Sequence, residues 1–152
     1  MSKKSIKNIT LDKFIQKASS LLQSKEGIIV AYLHGSYLLR PNSEHNDIDI
    51  GVVLNKKTPF ITMEKEIELS SHLEEMLGIS PIDVKVLNSA PKFFQYKVIR
   101  DGKVIFCCSE LKRIEYEVNL TNEYFDVKPM LDYYNSCMYQ NIKEGMHGPG
   151  SR

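Results

Sequence analysis

The chain has almost no surplus of charge and no long hydrophobic run. Its 152 residues hold 20 lysines and arginines against 19 aspartates and glutamates, a net charge of +1. That balance removes the global electrostatic case for nucleic acid or an acidic membrane as partner. Lys3, Lys4 and Lys7 make a small basic start, expected to be a solvated end. The longest apolar run, Ile28–Leu33, is far too short to span a bilayer. The first residues carry charge without an apolar stretch behind it, so no secretory signal is expected. Cysteine is scarce: Cys107 and Cys108 are adjacent and Cys137 stands apart. An odd number without a framework spacing predicts reduced thiols and a cytoplasmic location. No Cys–His cluster has zinc spacing, so the cysteines read as structural.

What is present is an ordinary globular composition, 42% hydrophobic and 26% charged. One domain over residues 1–144 is expected, followed by a disordered tail over 145–152 that carries Gly145, Gly148, Pro149 and Gly150. Leu11, Phe14, Ile15, Ala18, Leu21 and Leu22 recur at helical spacing, with Thr10 placed to cap them. Ile28–Leu33 reads as a buried strand. Ile48, Ile50, Val52 and Leu54 alternate at strand period, as do Ile82, Val84 and Val86. Between them Met63–Leu77 predicts an amphipathic helix closed by Gly78. Residues 91–99 read as helix and 103–106 as strand. From about 111 two helices are expected, the second starting near Pro129, a residue favoured at a first helical position. The order of elements predicts an α/β or α+β layer fold around one central sheet.

The most informative spacing is Gly35-Ser36, ten residues, then Asp47-Ile48-Asp49. Glycine allows a sharp turn and close approach of backbone to ligand. Ser36 would open a helical turn, where free N–H groups and a hydroxyl suit phosphate oxygens. Asp47 and Asp49 are two apart at a strand, so both side chains take one face. Two such carboxylates repel, and a divalent cation between them removes the conflict. Asp83, flanked by Ile82 and Val84, could bring a third carboxylate to the same spot. Lys85 shares the face of Asp83 and could contact a triphosphate or form an ion pair. His34 is expected to pack at a strand end and His45 to lie on a loop. Most of the tyrosines are expected in the core. Tyr133, Tyr134 and Tyr139 could instead form a partner surface.

The stretch Leu33-His34-Gly35-Ser36-Tyr37…Asp47-Ile48-Asp49-Ile50 resembles the signature of the polymerase-β-like nucleotidyltransferases. Pro81–Val84, Leu87–Pro91, Val98–Ile105 and Tyr124–Pro129 are similar to later segments of a narrower group. These are the minimal nucleotidyltransferase (MNT) antitoxins that pair with HEPN toxins. The resemblance implies a polymerase-β-like fold, a mixed sheet flanked by helices with a C-terminal helical segment. It further implies an adenylyltransferase that uses ATP and two Mg²⁺ ions to move AMP onto a tyrosine of a HEPN ribonuclease. By position, Gly35 and Ser36 would hold the triphosphate and Asp47 and Asp49 would bind both metals. Asp83 would complete one metal site and help deprotonate the incoming hydroxyl. The family has a basic residue and then glycine soon after Gly-Ser, where this chain has Leu39 and Arg40. It has serine before the first aspartate, where this chain has Asn46. Arg40 is therefore a candidate phosphate contact from a shifted position. Two other readings compete: a nucleotidyltransferase acting on a small molecule such as an aminoglycoside, and an antitoxin that neutralises by binding alone.

Overall fold

The structure, a computed structural model, describes residues 9–39, 47–56 and 61–143. Arg40, His45, Asn46, the lysines at 3, 4 and 7, and the expected tail lie outside the described residues. The elements run α1 (Leu11–Gln23), β1 (Ile28–His34), α2 (Ser36–Leu39), β2 (Ile48–Leu54), α3 (Thr62–Leu77), β3 (Ile82–Val86), α4 (Lys92–Asp101), β4 (Lys103–Cys107) and α5 (Glu110–Lys143). Thr10 caps α1 as expected, its hydroxyl accepting from the Lys13 N–H at 3.2 Å. Gly78 ends α3 in the left-handed region, φ 66°.

The four strands form one mixed sheet in the order β3-β2-β1-β4. β1 is antiparallel to both β2 and β4, and β2 is parallel to β3. Alternation along the strands supplies two apolar faces. On one, Leu33, Ile48, Ile50, Val52, Ile82 and Val84 pack against Phe14, Ala18 and Leu22 of α1 and Leu69 and Leu73 of α3. On the other, Val30, Tyr32, Val53 and Leu87 meet Val98 of α4, with Phe94 and Tyr116 at the margin. The second face is covered over only part of its length, and the functional residues occupy the remainder.

β3 is an edge strand, and α3 closes that edge with side chains. The N–H groups of Ile82, Val84 and Val86 donate to Glu74 Oε2 (3.0 Å), Ser70 Oγ (3.2 Å) and Glu66 Oε2 (2.8 Å). The acceptors are spaced by four along the helix and the donors by two along the strand, so the two periods meet one for one. A free sheet edge invites pairing with other chains, and this helix blocks it. Asn88 fastens the turn after β3 to β2: its amide accepts from the Leu54 N–H at 2.8 Å and donates to the Leu54 carbonyl at 2.9 Å.

The C-terminal segment corrects one expectation. α5 is a single helix over Glu110–Lys143 and runs through Pro129 without a break. A proline inside a helix removes one hydrogen bond and crowds the preceding turn. Here the helix beyond Pro129 is exposed, so water can satisfy the freed carbonyl. The Lys128–Asp132 ion pair, 2.5 Å, spans the proline turn. The first part of α5 is docked: Tyr32 donates its hydroxyl to Glu117 at 2.7 Å, and Tyr116 donates to Gln95 at 2.7 Å. Tyr96 of α4 stacks on Tyr124, ring centroids 4.4 Å apart.

Candidate active site

β1 delivers the turn. Gly35 follows the strand at φ +82°, a conformation that side-chain-bearing residues rarely adopt. A Cβ there would also overlap the Asp49 carboxylate and push it from its place in the row. Ser36 opens α2 and is exposed, while Tyr37 is fully buried against Phe14, centroids 5.4 Å apart. The turn is thus anchored by Tyr37 and leaves Gly35 and Ser36 free to meet a ligand. α2 is one turn long, too short to carry a macrodipole of consequence. What it offers an anion is backbone N–H groups and the Ser36 hydroxyl.

β2 and β3 deliver the carboxylates. In the parallel ladder Asp49 is the direct partner of Asp83, and on the other side His34 of β1 is the partner of Asp49. His34, Asp49 and Asp83 therefore form one row across three strands, with Asp47 just ahead of β2 and exposed. The next row on the same face is Tyr32, Gly51 and Lys85. The register brings Asp49 and Asp83 side by side, while Asp47 precedes β2 and has no ladder partner. Lys85 takes the face of Asp83, as alternation predicts, and is exposed.

The electrostatics follow from that row. Burial pushes the Asp49 carboxyl above the usual carboxylate range, and the negative charges of Asp83 and Asp47 push it further, while Lys85 opposes them. Among the described residues no three His, Cys, Asp or Glu side chains stand as a ready-made metal cage. The donor set nonetheless fits a hard divalent cation, since it is all oxygen and its charges repel one another without one. Burial lowers the His34 pKa, and Lys97 lowers it further against the pull of Asp83. The ring meets Phe94 edge to face, centroids 5.8 Å apart, and its buried Nε2 has no hydrogen-bond partner among the described residues.

The placement of His34 beside Asp49, and of Phe94 over His34, is not evident from the sequence. Strand period puts a residue on a face, but only the register between β1 and β2 puts His34 in the aspartate row. Phe94 reads as one more apolar residue of a helix, and it is half-buried there.

Comparison with known proteins places this geometry. Residues 16–111 match the Polymerase beta, Nucleotidyltransferase family, a span that contains Gly35, Ser36, Asp47, Asp49 and Asp83. Among solved structures, a toxin–antitoxin complex with AMP-PNP aligns with TM-score 0.68 at 20% identity, covering 86% of this chain and 99% of that one. A MntA–HepT toxin–antitoxin structure aligns with TM-score 0.65 at 19% identity, covering 83% and 97%. A tri-AMPylated Shewanella oneidensis HEPN toxin in complex with MNT antitoxin aligns with TM-score 0.63 at 18% identity, covering 83% and 98%. No curated protein matches the chain significantly. The structural likenesses bear on the fold, which is that of the polymerase-β-like nucleotidyltransferases, and the family match covers more than half of the sequence. The chain belongs to the polymerase β nucleotidyltransferase family.

Proposed function

We propose that this protein is an MNT-type antitoxin that transfers AMP from ATP to a tyrosine of a cognate HEPN ribonuclease toxin and thereby neutralises it. The observation that carries the reading is the Asp49–Asp83 pairing in the parallel ladder, with Asp47 two residues from Asp49 and the Gly35–Ser36 turn one strand away. The toxin–antitoxin structures of the same fold, one with AMP-PNP and one with a tri-AMPylated toxin, favour adenylyl transfer over other nucleotidyl chemistry.

In this reading Gly35 and Ser36 hold the triphosphate through backbone N–H groups and the hydroxyl. Asp47, Asp49 and Asp83 would hold two Mg²⁺ ions. When bound, those ions would neutralise the phosphates and lower the pKa of the attacking hydroxyl. The tyrosyl oxygen attacks the α-phosphorus, the bond from that phosphorus to the bridging oxygen breaks, and pyrophosphate leaves. Asp83 receives or relays the tyrosyl proton. Lys85 lies near enough to offset charge in the row. Arg40 is proposed as a further phosphate contact. Most of the acceleration comes from positioning and preorganised charge. The setting is cytoplasmic, in keeping with reduced cysteines.

The far part of α5 supports a protein as acceptor. Met130, Tyr133, Tyr134, Met138, Tyr139 and Ile142 are all exposed there, an apolar surface with no partner within the described chain. The same surface favours a second reading, neutralisation by binding alone. Incubation with α-labelled ATP, Mg²⁺ and the toxin separates the two. Label on a toxin tyrosine, lost in Asp47→Asn and Asp49→Asn, is the expected result. Unlabelled toxin that is neutralised equally by wild type and both variants would establish binding without chemistry.

A further inference from the structure

A cavity of about 310 Å³ lies beside the aspartate row, lined by Thr62, Glu66, Lys85, Ser89, Pro91 and Phe94 among others. It sits between the starts of α3 and α4 and reaches β3 at Lys85 and Val86. Lys85 is two residues along the same strand face from Asp83. The cavity therefore adjoins the β3 end of the row, across the sheet from the Gly35–Ser36 turn at β1.

Its lining is chemically uneven. Phe94 and Pro91, with Ala90 and Val86, make an apolar wall. Phe94 is held by its edge-to-face contact with His34 and also lines the cavity, so its half-buried ring joins the row to the cavity. The polar groups at the rim are largely committed. Glu66 accepts from the Val86 N–H at 2.8 Å, and the Thr62 and Ser89 hydroxyls pair at 2.9 Å. Lys85 is the lining cation that also faces the row. Such a site suits a flat apolar group with a polar end turned toward Lys85 and Asp83, and it suits a phosphate group poorly.

Direction of attack then decides the occupant. In a phosphoryl displacement the attacking and leaving oxygens lie roughly in line through the phosphorus. With the pyrophosphate held at β1, the attacking oxygen must come from the β3 side. The two strands are about 10 Å apart, two inter-strand spacings. We infer that this cavity is the acceptor subsite: it receives the aromatic side chain to be modified, with its hydroxyl directed at Asp83. The inference rests on the proposed adenylyl transfer and adds to it how the acceptor residue is selected. An aromatic hydroxyl is favoured because Phe94 and Pro91 offer a ring platform that a serine or threonine would leave empty.

The test measures acceptor and nucleotide separately, using the full chain and a cognate HEPN toxin. Steady-state labelling gives KM for the toxin, and titration with a non-hydrolysable ATP analogue gives nucleotide affinity. Phe94→Leu removes the aromatic platform while keeping apolar bulk at a half-buried position packed on the core. Ser89→Tyr fills the cavity from its exposed rim. Both variants should raise the toxin KM by about three- to tenfold, the range of an aromatic contact, with analogue affinity within about twofold of wild type. Loss of analogue affinity in either variant would make the cavity a nucleoside site and overturn the inference. An unchanged toxin KM in both would overturn it equally. Wild-type protein that labels nothing would instead bring down the proposed transfer itself, and this subsite with it.

Discussion

The aspartate row and the far part of α5 are incomplete in opposite ways. At the row, like charges are crowded at the end of a well-packed sheet, and Asp49 is partly buried among them. Along the far part of α5, apolar side chains such as Tyr133, Tyr134 and Met138 are exposed, with no described core residue among them. A crowded set of carboxylates asks for cations and phosphate, whereas an exposed apolar helix face asks for a protein. The core gives the row its precision, because Asp49 and Asp83 are fixed by a strand register. Among the described residues the projecting helix is held to α4 by Tyr124 and Phe125, both against Tyr96. The crowded carboxylates and the exposed apolar face thus lie on different parts of the molecule.

The sharpest way to break this comparison is to damage each region alone. Asp49→Asn should lower AMP transfer about a thousandfold or more, on the order of 4 kcal/mol of barrier, while toxin and antitoxin still co-elute. The combined change Tyr134→Asp and Met138→Asp should do the reverse. Complex formation should weaken by about a hundredfold, read by titration calorimetry, with nucleotide-analogue binding and the thermal midpoint nearly unchanged. If either variant lost both properties, the two regions would not be separable.

Gly35→Ala sharpens the description of the row. The alanine must adopt positive φ and push against the Asp49 carboxylate. A loss of about 1–3 kcal/mol in unfolding free energy is expected, with about a tenfold or larger drop in transfer. Glu74→Ala probes the sheet edge behind the row. It removes the acceptor of the Ile82 N–H and should cost about 1 kcal/mol, a few degrees of melting temperature.

The smallest effect is one of pH. The folded Asp49 carboxyl is held above its ordinary range, so the folded chain binds that proton more tightly than the unfolded chain. Its charge therefore opposes folding at neutral pH, and the penalty fades as pH falls through the carboxylate range. Without divalent cation, Asp49→Asn should melt slightly higher than wild type at neutral pH, and the difference should vanish in acid.

Much of this arrangement is legible in the sequence because its signals are local. Alternation at Ile48–Leu54 and Ile82–Val86 places the aspartates on one strand face without knowledge of the fold. Gly35 is legible for the same reason, since a glycine at a strand end before a hydroxyl has few other readings. Pairing is not local. That Asp49 lies opposite Asp83, that His34 joins the row, and that Glu66, Ser70 and Glu74 seal the edge of β3 all depend on contacts between distant segments. Pro129 misleads for a related reason. Its preference for a first helical turn is a tendency of isolated helices, and an exposed helix can carry the lost hydrogen bond through hydration.

The account turns on whether the aspartate row is built to be completed by cation and nucleotide. Thermal melting in the presence of Mg²⁺ and a non-hydrolysable ATP analogue tests this without any acceptor. Wild type should gain several degrees at about a hundred times the dissociation constant, equivalent to roughly 2.7 kcal/mol, and Asp49→Asn should gain almost nothing. An equal gain in both proteins would place the nucleotide elsewhere and contradict the account.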